Sequence, residues 1–261
     1  MLELKQDLPS GVLLDNNRDG FAEGLKDTGA VWFRGSWDAF GIDDASGAIA
    51  CWHSADGQFH AHPTDPNNGH GLLADVGAHA GLRCIPEVNC GLAVPEITQN
   101  AATFTMAVIY QPVQDVPAKT LLTVNTGSSG KGDQNANYLF LSDGGDFFTA
   151  KDVRGSVDLT VPVTGSADGL RMAIVTLAGD TLALAESLNA PATMQGVDAG
   201  MRTAADLFIG CRSHRGGLQK TLGASIIVEV LFWPRHALLL PRNDADEAQY
   251  LNLKRYFLWG Y

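Results

Sequence analysis

The chain has 261 residues, 45% of them hydrophobic, enough to bury a substantial core within one domain. A formal net charge of −11, from 18 basic residues against 29 acidic ones, excludes a duplex-binding surface, which needs clustered Lys and Arg. No run reaches the ~20 consecutive apolar residues of a membrane helix, which leaves no expectation of membrane insertion.

The N-terminal stretch MLELKQDLPSGVLLDNN lacks the cationic flank, apolar run and small-residue cleavage site of an export signal. The expectation is a chain made in the cytoplasm without a signal peptide. Residues 1–30 are too few to hold a core of their own and read as an extension, with docking as one role, and 31–261 read as a single sandwich. Within the extension, Asp15, Asn17 and Asp19 alternate ahead of Gly20, and Glu23 follows. Oxygen ligands at that spacing, with glycine at the sixth place, fold a tight loop around Ca²⁺. Lys26 stands where an EF-hand would carry its twelfth-position acid, and the plain alternative is an Asx-rich turn.

From Ala30 to about residue 100 the chain is rich in Gly, His, Asp and Pro, and Trp32, Trp37 and Trp52 mark it as folded. Five of the seven histidines, His53, His60, His62, His70 and His79, fall here. His60 and His62 alternate, so on a strand they share a face able to chelate a transition metal; the simpler reading is polar loop residues. Cys51, Cys84, Cys90 and Cys211 show no CxxC spacing. Cys84 and Cys90 bracket a loop that a disulfide would close, while four reduced thiols is the simpler reading.

Beyond Thr103 short apolar segments recur between turn residues: TFTMAVIY, KTLLTVN, NYLFLS, SVDLTV, LRMAIVTLA, DTLALAESL, DLFIGC and SIIVEVLFW. That spacing predicts an antiparallel sandwich, with turns at 142–146, 166–169 and 178–180 read as hairpins. A helix is predicted near the end, capped by Asp244 with Glu247 as capping-box partner. Its buried face is expected to carry Tyr250, Leu253 and Phe257 and to seal an edge or end of the sandwich.

Several of these segments resemble the concanavalin A-like lectin/glucanase superfamily, in particular laminin G-like domains of the kind carried on phage or gene transfer agent particles. They are the terminal strand with Ile227, Glu229, Val230, Leu231, Phe232 and Trp233; the helix with Tyr250, Leu251, Lys254 and Tyr256; IGCRS at 209–213; ATFTMAVIYQP; and GAIACWHSADG at 47–57. The resemblance implies an all-β, antiparallel jelly-roll β-sandwich with a short C-terminal helix, and makes Glu229 and Trp52 structural. Glycosidases of that superfamily carry an ExDxxE strand, which is missing here; so are a GxSxG elbow and an HExxH helix.

Sugar binding joins an exposed aromatic to polar groups that bond hydroxyls. Trp37 and the loops 126–137 and 212–221 supply these, giving Trp37, Asn135, Asn137, Tyr138, Arg212, His214 and Arg215 as candidate ligand residues. The leading expectation is a non-enzymatic module that binds cell-surface polysaccharide from the exterior of a phage-like particle, as a head spike or fibre. A neighbouring particle subunit or further copies of the chain are its other expected partners. The alternatives are a purely structural assembly protein and a polysaccharide-cleaving enzyme.

Overall fold

The computed structural model describes residues 21, 24, 25, 28–67, 71–127, 137–153, 155–165, 169–214 and 219–260. β-Branched and aromatic residues that alternate with polar ones fit a pleated surface buried on one side, and each such run forms a strand. The first half carries β1 (Val31–Phe33), β2 (Phe40–Ile42), β3 (Ile49–His53), β4 (His60–Pro63), β5 (Leu72–Val76), β6 (His79–Cys84), β7 (Leu92–Thr98) and β8 (Thr103–Pro112). There follow β9 (Lys119–Asn125), β10 (Tyr138–Asp143), β11 (Phe147–Asp152), β12 (Asp158–Pro162), β13 (Arg171–Ala178), β14 (Thr181–Glu186), β15 (Ala192–Gln195), β16 (Ala205–Ile209) and β17 (Ser225–Pro234). The chain then enters α1 (Asp244–Gly260).

Two antiparallel sheets result. One runs β15-β14-β13-β8-β17-β6-β5, with β1 also paired to β17; the other runs β12-β11-β10-β9-β16-β7-β4-β3-β2. The expected all-β jelly-roll sandwich with one terminal helix is therefore what forms. Its core lies between the sheets, where Trp52, Phe104, Phe148 and Phe232 are fully buried. Trp52 also donates its Nε1–H to the Arg34 carbonyl at 2.9 Å, which fixes β3 in register.

β17 sits between β8 and the β6/β1 pair at the centre of its sheet. A register shift between Ile227 and Glu229 turns Glu229 to the outer face, where its carboxylate accepts from Trp32 Nε1 at 3.0 Å and from the Tyr256 hydroxyl at 2.7 Å. α1 lies across this outer face, making a second apolar layer with Leu231, Trp233, Ile109 and Ile174. The helix thus covers a face rather than an edge or end. Its cap is Asn243, whose Oδ1 accepts from the Asp246 N–H at 2.8 Å, one residue earlier than expected. The most buried line along it is Asp246, Gln249, Leu253 and Tyr256, with Tyr250 and Phe257 at the flanks. Of the first thirty residues, Phe21 stacks on Tyr256 with centroids 4.2 Å apart, and Leu25 joins the same layer.

Two of the three turns behave as expected: 142–146 joins β10 to β11, and 178–180 joins β13 to β14. The stretch around 166–169 instead connects β12 and β13, which belong to opposite sheets. β11 and β15 were not among the expected strands, because half of their residues are polar and neither holds a long apolar run.

Candidate functional site

Helix α1 packs on the other sheet, and the outer face of the nine-stranded sheet carries several of the candidate groups. Strand alternation points Tyr138 and Phe140 outward from β10, Thr123 and Asn125 from β9, and Asp206 and Phe208 from β16, while Leu139, Leu141, Val124 and Leu207 fill the core. The segment after β16 folds back over the middle of the face. Thr123 donates to the Cys211 carbonyl at 3.0 Å, and Ala93, Phe208, Cys211 and Leu222 make a small apolar cluster beneath it. Gly91 permits this approach, since a Cβ there would lie 2.2 Å from Cys211 Sγ.

This segment delivers Arg212 onto the Phe140 ring, 3.6 Å from its centroid, with its Nε–H donating to Thr120 Oγ1 at 3.1 Å. Partial burial pushes the guanidinium pKa down, and a hydrogen bond with Tyr138 opposes that. Tyr138 itself tilts against Phe140 with centroids 6.0 Å apart. Arg212 and Tyr138, both half-buried, thus form a ledge over the buried Phe140 ring, with the Tyr138 ring as its aromatic flank beside a fixed cation. In the row that begins at Tyr138, its cross-strand partner is Asn125 and the next is Asp206. Two strand spacings put Asp206 about 10 Å from Tyr138. One Asp206 oxygen accepts from the Glu96 N–H at 2.8 Å.

The other candidate ligand residues separate. His214 packs edge-on against Phe208 at 5.2 Å and accepts from the Asp65 N–H at 3.1 Å, so it pins the segment down beside the ledge. Asn137 donates its side-chain N–H to the Gly200 carbonyl at 3.2 Å and closes its own loop. Trp37 is 54% exposed, as the sequence implied, but it precedes β2 at the far edge of the sheet, six strands from β10 or about 30 Å. It cannot join the ledge in one small site. Asn135 and Arg215, and the expected Ca²⁺ ligands Asp15, Asn17, Asp19 and Glu23, lie outside the described residues.

Carboxylates need separate treatment because sugar cleavage depends on them. Asp143, Asp152, Glu186, Glu229 and Asp246 are all buried. Asp143 accepts from Tyr110, Arg171 and the Gly145 N–H; Glu186 from Thr164, Gly165 and Asn189; Asp152 from Ser156 and Val157; and Asp246 faces His236 at 2.7 Å. These hold loops and layers together. Among the described residues, Asp206 lies on the ledge's outer face with one oxygen free of the hydrogen bonds above, and Asp158, paired with Lys151 at 2.7 Å, lies on the same face two strands beyond Phe140. A separate cleft of about 250 Å³, lined by Arg235, Arg242, Asn243 and Asp246, opens at the start of α1, on the opposite sheet.

No known family model matches the sequence, and no curated protein resembles it by sequence. Solved structures do share the fold. Trypanosoma rangeli sialidase in complex with sialic acid matches with a TM-score of 0.53 at 15% identity, over 86% of this chain and 32% of that one. A GH54 α-L-arabinofuranosidase soaked with a cyclic sulfate inhibitor matches with a TM-score of 0.55 at 9% identity, over 90% and 64%. An arabinofuranosidase complexed with arabinofuranosyl-α-1,2-xylobiose gives 0.51 at 10%, over 80% and 51%. The chain thus spans from about a third to under two thirds of these proteins' lengths, and at such identities the likeness is one of fold. It shows that the antiparallel β-sandwich of this chain is a fold those proteins share. It also corrects the expectation of a non-enzymatic recognition module on a phage-like particle, since the proteins that share the sandwich are glycosidases.

Proposed function

We propose that the chain is a carbohydrate-processing protein of the glycoside-cleaving kind, with its saccharide on the outer face of the nine-stranded sheet. The observation that carries this is the ledge of Arg212 stacked on Phe140 beside Tyr138, in one row with Asp206. An aromatic flank takes the apolar face of a sugar ring, and Arg212 and Tyr138 bind hydroxyl or carboxylate oxygens through charge-assisted bonds. Asp206 is the candidate proton donor to the leaving oxygen, with its orientation set by the Glu96 N–H. The glycosidase identity of the structures that share the fold supports the same reading.

The test is release of reducing ends from a panel of polysaccharides, with nitrophenyl arabinofuranosides and sialosides as small substrates. Hydrolysis is expected, with Asp206→Asn lowering kcat by about 100-fold or more. Arg212→Ala should lower kcat/KM about 10- to 100-fold, the loss of one charge-assisted bond. Absence of any cleavage across the panel overturns the proposal, and so does cleavage that neither substitution changes.

A further inference from the structure

β3 and β4 form a tight hairpin, and its register sets His53 directly opposite His60. Cys51 lies two residues before His53, and His62 two residues after His60, so all four share the outer face in a two-by-two array. The donor atoms of Cys51, His53 and His60 already converge, all within 4.8 Å of one another. His53 Nδ1 is 2.8 Å from His60 Nδ1, and Cys51 Sγ is 3.7 Å from His53 Nδ1. The two rings meet edge to face at 85°, with centroids 4.9 Å apart.

We propose that Cys51, His53 and His60 are a binding site for Zn²⁺, with water in the fourth position. Two imidazoles and a thiolate are the donor set that a borderline-soft ion selects over Ca²⁺ or Mg²⁺. Bonds of about 2.0–2.1 Å to nitrogen and about 2.3 Å to sulfur give tetrahedral donor separations of about 3.3–3.6 Å. The Cys51–His53 distance of 3.7 Å lies about 0.1 Å beyond that range. The His53–His60 pair, an N–H···N contact without the ion, opens by about half an ångström, a small turn of the half-buried and exposed rings.

The scaffold beneath is rigid and the approach is open. Trp52, between two of the ligands, is fully buried and stacked on Phe40 at 4.7 Å. The turn is tied by Ser54, whose Oγ accepts from the Phe59 N–H at 2.9 Å and bonds Asp56 at 2.5 Å. On the adjoining strand, Gly41 presents no side chain to His53 and Cys51, which lie 3.7 and 3.8 Å from where its Cβ would be. An overall charge of −11 favours its arrival. The proposal is independent of the saccharide reading, because its donors lie on β3 and β4 and not on the ledge.

Co²⁺ added to the metal-free chain reports on it, in a buffer with a phosphine reductant. The expected result is saturation at one equivalent, tetrahedral d–d bands, a thiolate-to-cobalt charge-transfer band, and displacement by Zn²⁺. Cys51→Ser should abolish the charge-transfer band, and His60→Ala, at an exposed position, should weaken binding at least about tenfold with the melting temperature unchanged. Absence of saturable binding overturns the site. Equal Co²⁺ affinity and spectra in both variants and the wild type also overturn it.

Discussion

Replacing Glu229 with alanine should destabilise the protein strongly and leave the chemistry of folded molecules intact. Glu229 is 2% exposed and accepts from two buried donors, Trp32 Nε1 at 3.0 Å and the Tyr256 hydroxyl at 2.7 Å. Together these bonds tie β1, β17 and α1, which are far apart in sequence. Alanine leaves both donors buried without this acceptor, at about 1–3 kcal/mol each, or about 2–6 kcal/mol for the pair. For a domain of this size a kcal/mol moves the melting temperature by about 2–4 °C, so a fall of about 5–20 °C is expected. Tyr256→Phe removes one of the two bonds and should cost about 1.5–3 kcal/mol. The two changes share a partner, so the double variant should fall short of their sum by about 0.5–3 kcal/mol. Thermal melts followed by circular dichroism read all three. An E229A protein that melts with the wild type, or strict additivity in the cycle, refutes the bridging role.

The remaining predictions concern other joints of the structure. Asn243→Ala removes the α1 cap and should cost about 1 kcal/mol in chemical denaturation, whereas Asp244→Ala should cost less. Arg171→Met leaves Asp143 buried without its cation at 3.0 Å and should cost about 3–5 kcal/mol by the same assay. Burial raises the Cys84 thiol pKa to about 12 from an ordinary value of 9.0, so the folded state holds a proton that the unfolded state releases above about pH 9. Stability is fully present below pH 9 and falls through the interval up to 12 at about 1.4 kcal/mol per pH unit from this group. Tyr110 and Cys211, whose pKa values burial also pushes up, steepen the same decline. Denaturant midpoints from pH 8 to 11 should therefore drop, and less steeply in Cys84→Ala.

The sandwich was legible because its central strands are long and fully apolar on the inner side. β8, β13 and β17 each sit among neighbours that leave them no other environment. The resemblance placed Trp52 in the core through GAIACWHSADG at 47–57 and made Glu229 structural through the terminal strand, and both are so. The cap and buried face of α1 were displaced by a residue or more because the helix packs on a sheet face. That face selects Gln249 and Tyr256 over the Tyr250–Phe257 line that apolar spacing alone favours. The ledge was half legible. Tyr138 and Arg212 were named from loop composition, but Phe140 and Asp206 belong to strands, and only the pairing of β10, β9 and β16 sets them beside those loops. The metal donors had a signal that went unused. Cys51-Trp-His53 and His60-Ala-His62 alternate symmetrically about a six-residue Gly-containing turn, and a hairpin there stacks the donors in pairs.

The two faces of the sandwich explain where chemistry sits. The outer face of the β8–β17 sheet is buried under α1, Phe21 and Leu25, and its polar residues, Glu229 and Thr105 among them, are consumed in holding that layer. Among the described residues, the short segment after β16 crosses the middle of the other sheet's outer face. Its flanks remain open, with Arg212, Tyr138 and Asp206 on one side and Cys51, His53 and His60 on the other. A protein that spends its helix on one sheet leaves the opposite one as its working surface. On the proposed reading, substitutions at Arg212, Tyr138, Asp206 or His60 should alter activity or metal binding at little cost in stability, the reverse of those around Glu229.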